Sequence, residues 1–242
     1  MGAARKLRRI LGRTARSETV SRFYLMIFKT RAVKQKEDWE FEWQEREWSS
    51  LFSQPENQRK VEEYWIRYRH LDDTRRLVPM DQNSTILDVG CGLSTVLHYL
   101  PGHRYGIDPL AERYKTIYHY PDDIDIRRAY GESIPFSDAF FDVAFCSNCI
   151  DHTASPRRVV EEVRRVLKPG GHFILTCETF GEDRGRREAG HPYSMTLPKL
   201  EKLVENFQQV QQWCSPWLGQ RRYVLGEPAT DQREYVFLLR KP

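Results

Sequence analysis

The sequence predicts an α/β fold, a mostly parallel sheet with helices on both faces. Short apolar runs at 85–89, 105–108, 124–126, 140–145 and 172–177 alternate with segments of helical periodicity, the signature of βα units. Ile86, Leu87 and Val89 form a nearly continuous apolar strand, suited to burial on both faces, and it runs into Gly90-Cys91-Gly92. The length of 242 residues suits one well-buried domain with appended elements rather than two full domains.

Residues 1–36 hold eleven Lys/Arg and one acid, a balance of +10 in a chain whose net charge is +4. The basic character therefore belongs to this segment, and the remainder sums to −6. Leu7, Ile10 and Leu11 lie at helical spacing among Arg5, Lys6, Arg8, Arg9 and Arg13, ahead of an apolar hexamer, Phe23 to Phe28. Four readings compete: a solvated basic helix followed by one packed on the domain, an amphipathic segment on an anionic membrane surface, an acid-poor organelle-targeting peptide, and an RNA-binding arm. The start, Met1-Gly2-Ala3-Ala4-Arg5-Lys6, lacks the Ser/Thr of a myristoylation signal. Residues 37–78 then form an aromatic-rich helical cap with four of the six tryptophans. In it Val61, Tyr64, Trp65 and Tyr68 share one helix face.

The catalytic-type domain is expected over 79–242, opening with a polar loop from Pro79 to Ser84. Strand Thr85–Val89 ends at Gly90 and Gly92, whose missing side chains let the backbone turn sharply and approach a ligand. A dinucleotide fingerprint would place glycine where Thr95 stands. Asp88 would also repel a pyrophosphate in a cleft of low dielectric, whereas a cationic ligand favours it. Asp108 ends the second strand 18 residues after Gly90, near the ~20-residue offset at which an acid meets ribose hydroxyls. Helices are expected over Thr95 to Leu100 and Ala111 to His119. Another starts at Ser155-Pro156, with a buried stripe of Val159, Val160, Val163, Val166 and Leu167, an exposed Glu161–Arg165 pair, and an end at Pro169-Gly170-Gly171. A strand over His172 to Cys177, a polar segment 181–190, a helix outlined by Leu197 to Phe207, and strands at Val210 to Cys214 and Tyr235 to Leu239 complete the order.

With these blocks in sequence order, Leu87-Asp88-Val89-Gly90-Cys91-Gly92, Tyr105-Gly106-Ile107-Asp108, Gly131 to Phe136, Phe140 to Phe145 and Leu167-Lys168-Pro169-Gly170-Gly171, the chain resembles the class I S-adenosylmethionine-dependent methyltransferases, with a type 11-like domain. The resemblance runs from about residue 84 to 178. It implies a Rossmann-like, seven-stranded, mostly parallel sheet whose final strand is antiparallel, with S-adenosylmethionine as cofactor. Asp88, Gly90, Cys91, Gly92, Asp108, Glu132, Ser133 and Ser147 are the cofactor-binding candidates it implies. Ser94 departs from the small residue usual there, and Tyr130 stands where many members have an acid. In similar enzymes N-terminal helices roof the substrate cavity, so Trp39, Trp43 and Trp65 either pack on the domain or line an acceptor site.

Methyl transfer from a sulfonium is an in-line displacement that depends chiefly on orientation. A base is needed only for an acceptor that must lose a proton. His152, following the fourth strand, is the leading candidate, with Asp151 and His191 as alternatives and a loop or capping histidine as the bland reading. The acceptor is expected to be a small molecule, glycan or lipid-linked intermediate; RNA and a non-catalytic cofactor-binding or assembly role are the competing readings. The stretch Ser147-Asn148-Cys149-Ile150 lacks the Pro-Pro-aromatic motif of nucleobase amine methyltransferases. No metal site is expected, since Cys146-x-x-Cys149 has no second pair. Five cysteines without a signal peptide suggest reduced thiols and a cytoplasmic protein, free or peripheral at a membrane, with organelle targeting left open.

Overall fold

The computed structural model describes residues 33–49, 55–180, 192–216 and 233–242. The basic, apolar-hexamer and membrane or RNA readings of the N-terminus, the polar segment 181–190 and His191 lie outside them. The chain divides into two compact units, 1–40 and 41–242. In the first, residues 33–40 are helical.

The second unit is built on one seven-stranded sheet. Its strands are β1 (Thr85–Val89), β2 (His103–Asp108), β3 (Ile124–Arg128), β4 (Phe141–Ser147), β5 (Leu167–Thr179), β6 (Gln208–Pro216) and β7 (Arg233–Arg240), in the order 3-2-1-4-5-7-6. Strands β1 to β5 are parallel to one another, and β7 runs antiparallel between β5 and β6. The order reverses between β1 and β4, and at such a switch point a crevice opens beyond the carboxyl ends of the strands. The expected sheet, its antiparallel last strand and the helices on both faces are all present.

Side chains alternate across the sheet, so each strand feeds two cores. One face joins Ile86, Phe145, Ile174, Val236 and Leu238 to Trp48, Val61, Trp65 and Leu71, which come from a π-helical turn (Glu45–Ser49), α1 (Pro55–Arg67) and α2 (Leu71–Leu77). The other joins Leu87, Val89, Phe173, Phe237 and Leu239 to α4 (Pro156–Val166) and α5 (Leu197–Leu203). A short α3 (Ala111–Tyr114) covers the first face beside β3. The aromatic segment from Phe41 onward thus shares the core of the sheet, and Trp65, 5 % exposed, is packing rather than cavity lining. Trp43 also packs against this core.

Three local expectations are corrected. Helix α3 stops at Tyr114 instead of His119, because β-branched Thr116 and Ile117 are weaker helix formers and Tyr118 and Tyr120 are drawn into a ring cluster with His98. Helix α4 keeps its Ser155 cap and its buried valines, yet ends at Val166 rather than at the glycines. The carbonyls of Arg165 and Val166 are taken by Ala139 N–H and Phe140 N–H, and Leu167 enters the β4–β5 ladder opposite Phe141. Arg165 does not pair with Glu161. It grips Glu162 at 2.8 Å, Asp138 at 2.8 Å and the carbonyls of Ile134 and Phe136, while Glu161 pairs with Arg157 and Arg158.

Candidate cofactor-binding site

The glycine loop hangs on the end of β2. Gly90 N–H and Cys91 N–H both donate to Ile107 C=O, at 2.8 and 3.2 Å, which turns the chain back across the edge of the sheet. Gly90 and Gly92 have φ of +70° and +52°, a region that glycine reaches without strain. A Cβ on Gly90 would lie 2.5 Å from Cys149 Sγ, so the position tolerates no side chain. At Gly92 the nearest group is the Gln44 amide at 3.3 Å, a flexible neighbour from the helical segment before the π turn.

Asp108 is held by two backbone donors. Oδ2 accepts from Gly92 N–H at 3.1 Å and Oδ1 from Leu110 N–H at 2.8 Å, so one carboxylate ties the loop to the start of α3. Cys91 is buried and its Sγ lies beside Gly106, where a Cβ would meet it at 3.0 Å. Its thiol fills space under the loop, and burial pushes its pKa well up.

Asp88 is 2 % exposed. Oδ2 accepts from Thr95 Oγ1 at 2.7 Å, and Oδ1 is buried without a hydrogen-bond partner. Burial pushes its pKa up to about 7, against the Thr95 hydroxyl and Val96 N–H, which favour the carboxylate. Thr95, the residue that broke the dinucleotide fingerprint, is therefore Asp88's partner and also caps the 3₁₀ turn Val96–Tyr99.

At the neighbouring strand end, Ser147 Oγ is likewise buried without a partner. Asn148, with φ +51°, bends the chain so that Cys149 Sγ reaches Val89 C=O at 3.0 Å and Cys146 Sγ at 3.1 Å. None of the five cysteines is in a disulfide. The 3₁₀ turn Ile150–His152 follows, placing His152 Nε2 3.9 Å from Asp151 Oδ1. Asp151 is 5 % exposed, and the His152 side chain is 19 % exposed.

Glu132 and Ser133 sit apart from these groups in their bonding. Glu132 Oε1 accepts from Ala154 N–H at 2.7 Å and Ser155 N–H at 3.0 Å, fastening the loop after β3 to the start of α4. Ser133 is exposed, and its N–H closes a turn on Tyr130 C=O. Sequence reasoning did not find Tyr120, whose hydroxyl donates to Gly92 C=O at 2.8 Å, nor the Trp65 Nε1 bond to Ser94 C=O at 3.1 Å. No short-range pattern signals contacts between residues 28 and 29 positions apart. Among the described residues no group of three or more His, Cys, Asp or Glu is placed to hold a metal ion, and no helix is long and apolar enough to cross a membrane.

Two bare glycines, a carboxylate poised to meet ribose hydroxyls and two orphaned buried oxygens fit a cationic nucleoside such as S-adenosylmethionine. A family model described as a methyltransferase domain matches residues 87–175. The chain is 28 % identical over 160 residues to a tRNA U34 carboxymethyltransferase of Campylobacter curvus, covering 62 % of this chain and 53 % of that one. It is 29 % identical over 124 residues to a sarcosine/dimethylglycine N-methyltransferase of Halorhodospira halochloris, covering 46 % and 42 %. The match thus spans about half the length of these two relatives. Its fold is similar to that of phosphoethanolamine N-methyltransferase 2 of Haemonchus contortus in complex with S-adenosyl-L-methionine, at a TM-score of 0.54 and 17 % identity, over 72 % of this chain and 52 % of that one. Residues 87–175, which carry the glycine loop and strands β2 to β4, are thus similar to a methyltransferase domain.

Proposed function

We propose that this protein transfers a methyl group from S-adenosylmethionine to a small-molecule acceptor, free or carried on a glycan or lipid. The observation that carries the reading is the pair of buried, unpartnered oxygens, Asp88 Oδ1 and Ser147 Oγ, at the ends of β1 and β4. A buried polar atom left unpaired costs ~1–3 kcal/mol, and a ligand that donates to it recovers that loss. When bound, the cofactor supplies a methyl carbon made electrophilic by its sulfonium.

The chain's own residues bind and orient. Asp108 accepts from the ribose hydroxyls, with its carboxylate already fixed by Gly92 and Leu110 N–H. Gly90 and Gly92 admit the ligand close to the backbone, and Cys91 holds the loop from below. Glu132 keeps the loops after β3 and β4 together, which sets the width of the crevice. His152 accepts the proton of a hydroxyl acceptor at one ring nitrogen, and Asp151 beside it steadies the imidazolium that results.

The small-molecule reading is supported by the −6 balance outside residues 1–36, which would repel a phosphate backbone, and by the relative named for sarcosine and dimethylglycine. A second reading, RNA methylation, draws on the relative named for tRNA U34 and on the +10 of residues 1–36. Incubation with methyl-labelled S-adenosylmethionine and cell extract, followed by counting label in metabolites, glycans, lipids, RNA and protein, separates them. Label in the small-molecule, glycan or lipid fractions supports the proposal. Label confined to RNA, lost on deleting residues 1–36 and falling steeply with salt, replaces it with the second reading. Should the acceptor be a hydroxyl, His152→Gln lowers kcat by ~10²–10⁴-fold and removes the acidic limb of the pH–rate profile; an unchanged profile would return His152 to a loop histidine.

A further inference from the structure

The Cys146-x-x-Cys149 motif takes no part in the proposed transfer, yet the fold brings its two sulfurs to 3.1 Å. Cys146 is the buried member, in register with Val89 of β1 and Leu175 of β5. Cys149 is partly exposed. The return between them is made at Asn148, whose φ of +51° lies in the left-handed region that Asn enters more readily than most residues. Its N–H donates to Thr176 C=O at 2.8 Å and its Oδ1 accepts from Glu178 N–H at 3.1 Å, so β5 pins the bend at two points. A thiol has one hydrogen to donate. That of Cys149 goes to Val89 C=O at 3.0 Å, so the contact between the sulfurs uses the hydrogen of Cys146.

The pair also touches the glycine loop. A Cβ on Gly90 would meet Cys149 Sγ at 2.5 Å and Cys149 Cβ at 2.7 Å, so the Gly90 backbone already rests on this side chain. A disulfide holds its sulfurs about 2.05 Å apart, and closing the present gap draws them together by about 1 Å. It also removes the hydrogen that Val89 C=O now receives. Both changes fall on the strand end and the turn that carry the loop. The hydrogen-bonded Cys146 sulfur and burial push the Cys149 thiol well up. The thiolate, which is the attacking species, is therefore scarce at neutral pH, and oxidation speeds up as pH rises.

We propose that Cys146 and Cys149 form a reversible dithiol–disulfide site, oxidised by a small-molecule disulfide, whose closure displaces the glycine loop and weakens nucleoside binding. Cys149, the exposed member, attacks first. Its thiolate displaces one half of the small disulfide, which leaves as a thiolate and takes up the proton that Cys149 gave up. Cys146 then loses its proton and attacks Cys149 Sγ, displacing the second half. In sum two protein S–H bonds and one external S–S bond are broken, one protein S–S bond and two external thiols are formed, and the pair gives up two electrons. The disulfide stands apart from the proposed function, whereas its effect on nucleoside binding rests on that function.

The test needs no turnover. The full chain is incubated with hydroxyethyl disulfide, quenched with iodoacetamide and digested with trypsin, which leaves both cysteines in one peptide, 129–157. That peptide is expected to be unalkylated and lighter by two hydrogens, and to revert with dithiothreitol. Cys146→Ala should instead trap a mercaptoethanol adduct on Cys149, while Cys149→Ser leaves the buried Cys146 unmodified. By calorimetry, oxidation should lower S-adenosylhomocysteine affinity at least about tenfold in the wild type and under about threefold in Cys146→Ala. Linkage requires the reverse effect as well: saturating S-adenosylhomocysteine should raise the midpoint potential of the pair, by ~30 mV for a tenfold difference. Peptide 129–157 staying alkylated while the exposed Cys214 takes the reagent overturns the site, as does a link from Cys146 to Cys177, the other buried thiol of this core. A disulfide at the expected place with equal affinity in both states overturns the coupling. Reduced protein that does not bind S-adenosylhomocysteine overturns the cofactor reading and the coupling together, and the disulfide is then decided by mass alone.

Discussion

The two halves of the crevice are built by different means. On the β1–β2 side the polar groups meet near neighbours: Asp108 meets Gly92 and Leu110 N–H, Asp88 Oδ2 meets Thr95, and the loop N–H groups meet Ile107 C=O. On the β5–β7 side the partners come from distant parts of the chain. Arg69 meets Glu234, and His70 Nε2 meets Ser215 Oγ at 2.9 Å while stacking on Trp213. A local turn can hold a ligand that never changes, whereas an edge assembled from separate elements can change one element at a time. The first half suits the proposed cofactor, and the second suits the proposed acceptor.

The comparison breaks hardest at Gly90. Gly90→Ala forces a Cβ onto Cys149 Sγ at 2.5 Å with φ at +70°, and S-adenosylhomocysteine affinity should fall at least ~100-fold by calorimetry. Gly92→Ala meets only the Gln44 side chain and should cost about tenfold. Equal losses would show that the two glycines do not divide in this way. Asp108→Asn replaces an acceptor-only group beneath two N–H donors and should weaken binding by ~10–50-fold, with little change in melting temperature.

Asp88 gives a subtler measure. Its pKa of about 7 lies above that of an unfolded carboxyl, so the native state holds the proton more tightly. Its contribution to stability is complete below about pH 4 and is lost as pH rises through about 7. A cation bound beside it favours the carboxylate, so cofactor binding should release close to one proton at pH 6 and almost none at pH 8, seen by calorimetry in buffers of different ionisation enthalpy. Asp88→Asn should abolish that release; its persistence would assign the proton elsewhere. The smallest effect belongs to the far edge. His70→Phe keeps the stack on Trp213 but loses the bond to Ser215, and should lower stability by ~1 kcal/mol while leaving S-adenosylhomocysteine affinity untouched.

How far the sequence could be read follows the same division. The strand into the glycine loop, Asp108 at its offset and the Ser155 cap are short-range patterns, and each stands where the spacing placed it. Thr95 was legible as a departure from a dinucleotide motif, but its bond to Asp88 was not, although both lie within one turn of the loop. The Glu161–Arg165 spacing was sound for an isolated helix. Tertiary contact overrode it, since Arg165 gains a buried-side carboxylate and two carbonyls by turning toward the loop after β3. Arg69 carried no signal, because its partner lies 165 positions later and on an antiparallel strand.

That reversed strand has an evolutionary consequence. Because β7 runs against its neighbours, its first residues rather than its last lie at the ligand edge, and Arg233 pairs there with Pro216 at the end of β6. The stretch joining them therefore leaves and rejoins the sheet at one edge, the edge at which the chain also leaves β5 after Thr179. Residues can be gained, lost or exchanged in either connection without shifting the register of any strand pair. New acceptor preferences can thus arise by loop exchange while the half proposed to hold the cofactor stays as it is.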